Sequence, residues 1–144
     1  MIEQDTVKLL RECDAGIKMG VNSIDDVLCH VKNDNLKGML CLCKNEHRRL
    51  EKETRELLNR YEDEGKEPNV IAKGMSKMKC AMKLGLHETD RAIADLMTDG
   101  CNMGVKSLSK YLNQYAAADE VSKDITKRLI SLEEKLAKDM RGFL

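Results

Sequence analysis

The chain has 144 residues, and its 25 basic and 25 acidic side chains leave no net formal charge at neutral pH. This length is enough for one domain with a sizeable core. The balanced charge argues against a dedicated nucleic-acid binder, and aromatic residues, at 3%, are too few to form a stacking platform for bases. A single proline and many Leu, Lys, Glu, Met and Ala residues favour one all-α domain over residues 1–144.

The expected location follows from two patterns in the sequence. The first residues lack the apolar stretch of a signal peptide, and no apolar run reaches the roughly 18 residues of a membrane span. We therefore expect a cytoplasmic protein without a membrane span. Because thiols stay reduced in that compartment, we interpret most of the six cysteines as small buried apolar residues.

Four long stretches show the three- and four-residue apolar spacing of amphipathic helices. The approximate ranges of the predicted helices are 5–32, 35–62, 91–114 and 119–142. The apolar stripe of the last helix is predicted to begin at Val121. Polar residues suited to N-caps precede the first three helices: Asp5 or Thr6, Asn33 and Asp34, and Thr89 or Asp90.

The second and third helices are separated by a long connection. It begins with EDEGKEPN at residues 62–69, which has the glycine and proline of a connector. A shorter amphipathic segment at about 70–83 predicts an extra helix within this crossover. We expect its apolar side to cover the bundle or, alternatively, to dock on a protein partner or a membrane surface. That side carries Ile71, Met75, Met78 and Met82.

The sequence contains an internal repeat. GIKMGVNSIDDVL at residues 16–28 returns as GCNMGVKSLSKYL at 100–112, with six identities where about one is expected by chance. The similarity extends into the following helices, where His47 aligns with Glu133. The repeat predicts two duplicated helical hairpins joined by the long crossover.

Each copy of the repeat carries two glycines four positions apart, on one helix face. A glycine inside a helix costs about 1 kcal/mol relative to alanine, so four of them need a structural reason. We expect a seam where the first and third helices approach closely, which a larger side chain would overpack. The four glycines are Gly16, Gly20, Gly100 and Gly104.

The core stripes begin with DAG at residues 14–16 and DG at 99–100, and the fourth helix runs from EE at 133–134 to FL at 143–144. In these features nearly the whole chain resembles the ferritin-like superfamily, and it is most similar to the bacterial ferritin-like groups of unknown function. The resemblance implies a bacterial protein with a ferritin-like four-helix bundle. A long connection between the second and third helices agrees with that arrangement.

Ferritin-like di-iron proteins take a carboxylate from each of two helices and Glu-x-x-His from each of the other two. Here Lys44 stands where a glutamate would precede His47, and Leu136 stands where a histidine would follow Glu133. The pattern predicts a lost di-iron site with no catalytic residue and no cofactor. The expected protein is a non-catalytic bundle with a structural or interaction role, either self-associating or bound to a protein partner.

An alternative keeps a reduced metal site. Cys43 and His47 lie at i and i+4 on a core stripe, and the internal alignment places Glu133 opposite His47. These three residues are candidate ligands for iron or zinc in an atypical protein that handles iron, oxygen or peroxide. The competing interpretation is a core histidine paired with Glu133, with Cys43 as a packing residue. The sequence leaves open whether the charge of Glu133 or burial dominates the pKa of His47.

Overall fold

The computed structural model describes residues 2–68 and 89–144. Within these ranges the chain forms four packed helices and no strand, which confirms the all-α four-helix prediction. The predicted helix at 70–83, with its apolar face of Ile71, Met75, Met78 and Met82, lies outside the described residues. The helices are α1 (Ile2–Leu28), α2 (Asp34–Arg60), α3 (Asp90–Gln114) and α4 (Glu120–Met140), and a 3₁₀ turn (Arg141–Phe143) follows. None of these helices combines the length and the apolar character needed to cross a membrane.

Three of the helices begin at capping side chains. The Asn33 side chain accepts hydrogen bonds from the first backbone amides of α2, and Thr89 does the same for α3, as the sequence predicts. Asp119 caps α4 by accepting from the Ser122 amide at 2.8 Å. These caps satisfy amides that have no partner within their helices.

The ends of α1 differ from the prediction. The helix begins at Ile2 and ends at Leu28, so Asp5 and Thr6 lie inside it instead of capping it. Their side chains accept hydrogen bonds from the backbone amides of Ala117, at 3.1 Å, and Asp119, at 2.8 Å. Both residues therefore hold the turn between α3 and α4.

Hydrogen bonds between the turns establish the helix directions. The amides of Lys32 and Asn33, after α1, donate to the carboxylate of Asp90 at the start of α3, both at 2.9 Å. At the other end, Thr6 near the start of α1 holds Asp119 at the start of α4. Helices α1 and α4 are therefore parallel, and so are α2 and α3. Because α2 ends and α3 begins at opposite ends of the bundle, the connection between them links the two ends.

The core consists of two apolar clusters at different heights along the bundle. One lies toward the α1–α2 turn and includes Ile24, Leu36, Leu40, Ile93, Met97 and Met140. The other lies toward the α3–α4 turn and includes Leu10, Ile17, Leu58, Leu108, Ile125 and Leu129. Burial of these side chains supplies most of the driving force for folding.

The core stripe of α4 begins one residue later than predicted. Val121 is 55% exposed, whereas Ser122 is fully buried. The Ser122 hydroxyl donates to the backbone oxygen of Asp119 at 3.0 Å, so the buried polar group is satisfied. The cap at Asp119 thus sets the rotation of the first turn of α4.

Candidate functional site

A polar pair separates the two apolar clusters. His47 of α2 and Glu133 of α4 are 1% and 9% exposed, and each lies between residues of one cluster and residues of the other along its own helix. His47 Nε2 and Glu133 Oε1 are 2.9 Å apart. The structure therefore contains the pairing that the internal alignment predicts.

The second ring nitrogen defines where the protons of the pair lie. His47 Nδ1 is 2.8 Å from the backbone oxygen of Cys43. A carbonyl oxygen only accepts, so Nδ1 carries a hydrogen and donates it. The remaining nitrogen, Nε2, then shares one further proton with Glu133. The pair has zero net charge whichever of its two members holds that proton.

The environment of His47 favours the protonated ring. Burial alone lowers the pKa of His47, but its hydrogen bonds with Cys43 and Glu133, together with the charge of Glu133, outweigh burial and raise the pKa to about 10. The ring is thus protonated at neutral pH. The charge-assisted hydrogen bond that results is stronger than a neutral one.

Two buried thiols lie at the same level as the pair. Cys43 Sγ is 3.5 Å from His47 Nδ1, the nitrogen that already donates to the backbone. Cys101 of α3 lies on the Glu133 side, and burial first and the charge of Glu133 second raise the pKa of its thiol. Both cysteines are therefore buried packing residues, and the thiol of Cys101 is protonated at neutral pH.

The candidate metal ligands do not converge on one point. Cys43 lies beside Nδ1 of His47, whereas Glu133 lies beside Nε2, on a different side of the ring. Within residues 2–68 and 89–144, no group of three or more His, Cys, Asp or Glu side chains is arranged to hold a metal ion. Lys44, one turn before His47 on α2, forms an ion pair with Asp25 of α1.

Two glycines of the repeat make room for the pair. A Cβ atom at Gly20 of α1 would lie 2.6 Å from His47 Nε2, so a larger residue would displace the ring. A Cβ atom at Gly104 of α3 would lie 3.3 Å from Glu133 Oε2. Each hairpin thus places a glycine against the buried polar residue of its own second helix. A side chain at either position would thus meet a residue of its own hairpin, whereas the sequence predicted a close approach between α1 and α3 as the reason for the glycines.

The other two glycines do not contact the pair. A Cβ atom at Gly16 would make ordinary contacts, at 3.9 Å, with Leu108 and Leu129. Gly100 is exposed, and a Cβ atom there would meet nothing within 4 Å. The prediction of one seam containing all four glycines is therefore wrong for Gly100.

A second buried carboxylate, which the sequence reasoning did not identify as a site, holds the connection that follows α2. Asp14 of α1 is fully buried, and its Oδ2 accepts from the Lys66 amide at 2.9 Å and from Lys18 Nζ at 3.0 Å. Gly65, with φ of +86°, lies against the same oxygen, where a side chain would collide with it. Arg55 of α2 donates to the backbone oxygen of Glu64 at 2.7 Å.

We call this arrangement of Asp14, Lys18, Arg55, Gly65 and Lys66 the Asp14 clasp. Asp14 Oδ1 has no hydrogen-bond partner, and Arg55 Nη2 lies 3.8 Å away from it. Lys66 Nζ also donates to Glu12 of α1, and Lys18 Nζ donates to Glu67 at 2.9 Å, so the buried Asp14 carboxylate is one of several contacts that attach the connection to α1. The signal in the sequence was an aspartate on the core stripe of a helix, since a buried carboxylate needs partners.

Comparisons of the chain with family models, with curated proteins and with solved structures found no match. The geometry and chemistry of the residues described above are therefore the basis for assigning a function.

Proposed function

We propose that the protein is a non-catalytic ferritin-like bundle with a structural or interaction role, in which a His–Glu pair has replaced the metal centre. The supporting observation is which residues the four helices place at the level of the His47–Glu133 pair, between the two apolar clusters. Helices α1 and α3 present Gly20 and Gly104 there, α2 presents His47, and α4 presents Glu133. A di-iron site would need four carboxylates and two histidines from these helices.

The helix directions support the same proposal. A ferritin-like bundle has one long connection between its two antiparallel hairpins. Here α1 and α4 are parallel, and the chain passes from one end of the bundle to the other between α2 and α3. A bundle with short loops only would place α2 and α3 antiparallel instead.

The chemistry of the pair suits a structural role. Each nitrogen of His47 already has a partner, and the bond between His47 and Glu133 occupies the space between them. A buried and satisfied polar pair contributes little net stability compared with apolar packing, but it constrains which helix faces meet. We therefore assign the pair to specifying the arrangement of a scaffold and not to a reaction.

A second candidate is an atypical metal-binding protein that handles iron, oxygen or peroxide. The observation in its favour is that His47 donates Nδ1–H to a backbone oxygen, as metal-bound histidines commonly do, which leaves Nε2 as the nitrogen that binds metal. Glu133 and Cys101 lie on that side. A metal would have to separate His47 from Glu133.

Metal analysis distinguishes the two functions. The full chain, expressed with added iron and zinc and purified without chelators, is expected to contain far less than one metal ion per chain. Added zinc should leave the thermal midpoint unchanged, because a ligand stabilises a protein only by binding its folded state. His47→Ala and the matched control His30→Ala are measured alongside. Stoichiometric metal in the wild type and in His30→Ala, lost in His47→Ala, would contradict the proposal and favour the second candidate.

A further inference from the structure

The two hairpins of the repeat contact each other through the polar pair, and there the aligned positions carry different residues, a histidine and a glutamate. Positions 20 and 104 of the repeat are both glycine, and the residues that face them, His47 and Glu133, align with each other. The glycines are equivalent in sequence, and each lies against the polar residue of its own hairpin, so both hairpins leave space for a polar side chain at the middle of the bundle. Only the polar residue placed in that space differs.

The matching geometry extends to the backbone. His47 donates to the carbonyl four residues earlier, that of Cys43, and the position four residues before Glu133 is Leu129. A histidine at position 133 would therefore find an equivalent acceptor in its own helix. Both positions therefore offer a histidine the same kind of backbone acceptor, and the contact with the glycine is closer at Gly20 than at Gly104.

Two identical hairpins would place two like polar residues against each other in the core, which is unfavourable. Two α1–α2 hairpins would place histidine against histidine, and two α3–α4 hairpins would place glutamate against glutamate. Either combination leaves a net charge or an unpaired polar atom between two apolar clusters, which is costly. One hairpin of each kind gives a neutral pair in which every proton has an acceptor.

We propose that the His47–Glu133 pair selects the hairpins that associate. An α1–α2 hairpin accepts an α3–α4 hairpin, whether from its own chain or from a second copy of this chain, and rejects another α1–α2 hairpin. This proposal concerns pairing between hairpins and does not depend on the ferritin-like origin, which metal content addresses separately.

Exchange with a second copy is geometrically possible. Helix α2 has 27 residues and is therefore about 40 Å long. The Asp14 clasp holds the connection as far as Lys66, and the 22 residues from 67 to 88 have a fully extended length of roughly 70 Å, which is still greater than that of the helix. The hairpins of two chains can thus exchange without breaking the contacts within either hairpin.

The first experiment exchanges the two residues within one chain. His47→Glu and Glu133→His each create a like pair, and each should lower the folding equilibrium constant by about 100-fold or more. The double variant His47→Glu/Glu133→His restores an unlike pair and should recover at least about tenfold over either single variant. Denaturant unfolding measures all three. The proposal would be overturned by a double variant whose free energy of unfolding is no higher than that of the less stable single variant.

A matched control uses an exposed pair between the same two helices. Arg128 of α4 makes two hydrogen bonds of 2.9 Å to Glu53 of α2, with both side chains nearly half exposed. The single variants Glu53→Arg and Arg128→Glu and their double exchange should show coupling within about fivefold, as is usual for exposed ion pairs. Coupling as large as that of the buried pair would show that any charge pair between α2 and α4 has the same effect. That result would overturn the proposal that the buried pair selects the hairpins.

The second experiment mixes two full-length chains. Neither His47→Glu nor Glu133→His can form an unlike pair alone, but hairpin exchange between the two chains forms two such pairs. Equimolar refolding from denaturant should therefore give a one-to-one heterodimer by native mass spectrometry, more stable than either chain alone. Refolding of the exposed-pair single variants should give no such dimer. A mixture of the buried-pair variants that remains two separate unstable chains would overturn selection between copies.

Discussion

The two hairpins share a sequence pattern but differ in how polar groups are used. At position 14 the first hairpin carries Asp14, which is fully buried and attaches the connection after α2. The equivalent position of the second hairpin, 84 residues later, is Thr98, whose hydroxyl donates to the Ala94 carbonyl of its own helix at 2.8 Å. The apolar and glycine positions recur because they determine packing, whereas the polar positions have acquired different contacts.

The middle level shows the same difference on a smaller scale. The His47 ring lies so close to Gly20 that a Cβ atom there would be only 2.6 Å from it, and the ring is held by hydrogen bonds at both nitrogens. Glu133 lies further from Gly104 and has a longer, more flexible side chain. The first hairpin is therefore the less tolerant half of the bundle, a difference that substitutions at equivalent positions can measure.

The largest difference is expected at positions 14 and 98. Asp14→Ala removes the acceptor of the Lys66 amide and of Lys18 Nζ and should destabilise the fold by about 2–3 kcal/mol. Thr98→Ala removes only a bond within α3 and should cost under about 1 kcal/mol. Urea unfolding compares the two. Equal losses would show that the Asp14 clasp contributes no more than the threonine.

The clasp variant should also act locally. In Asp14→Ala, hydrogen exchange at the Lys66 amide should become faster. The amides of α3 and α4 should still exchange with the free energy of global unfolding, as in the wild type. A uniform increase across all four helices would mean that Asp14 supports the core as a whole and not the connection.

The next difference concerns the two glycines that face the pair. Gly20→Ala would gain about 1 kcal/mol of helix propensity but displaces a ring held on both sides, so we expect a net loss of about 1–2 kcal/mol. Gly104→Ala should be nearly neutral, because a shift of a few tenths of an ångström by Glu133 makes room for it. Thermal and urea unfolding measure both variants.

Gly100→Ala is the control for these glycines. The added Cβ meets nothing, so only helix propensity acts, and the variant should be stabilised by up to about 1 kcal/mol. Gly20→Ala as stable as Gly100→Ala would show that the His47 ring moves without cost and that the two hairpins are equally tolerant.

Much of the fold was predictable because the signals are local. Asn33 and Thr89 cap the helices that follow them, and their chemistry needs only the nearest amides. The start of α1 was not predictable in this way, since Asp5 and Thr6 have typical cap side chains but bond to a turn more than 100 residues away. A side chain with two possible partners is decided by tertiary structure, which local patterns do not contain.

The candidate site was predictable only in part, for the same reason. The internal alignment placed Glu133 opposite His47, because a duplicated hairpin brings equivalent positions together. It did not show that Cys43 and Glu133 lie on different sides of the ring, since this depends on a side-chain torsion. The spacing of the glycines was visible, but the neighbour that required Gly20 was a side chain of another helix.

The pH dependence of stability tests whether the first hairpin carries a buried positive charge. The pKa of His47 is about 10 in the folded protein and should be near the ordinary 6.5 when unfolded, so the folded state binds the extra proton. Its contribution is complete below pH 6.5 and is lost as the pH rises toward 10. Between pH 7 and 8 the free energy of unfolding should fall by about 1 kcal/mol.

His47→Gln removes the group that titrates and should abolish this part of the slope, whereas His30→Gln should retain it. The groups that contact the ring are Cys43 and Glu133, Cys101 lies beside Glu133, and Gly20 on α1 contributes no charge. A slope that survives in His47→Gln would assign the proton to another group. A slope absent from the wild type would mean that the folded pair binds no more protons than the unfolded chain, because a proton shared by His47 and Glu133 contributes to the slope whichever of them holds it. The ring would then be neutral with no proton between it and Glu133, and the two hairpins would not meet through opposite charges.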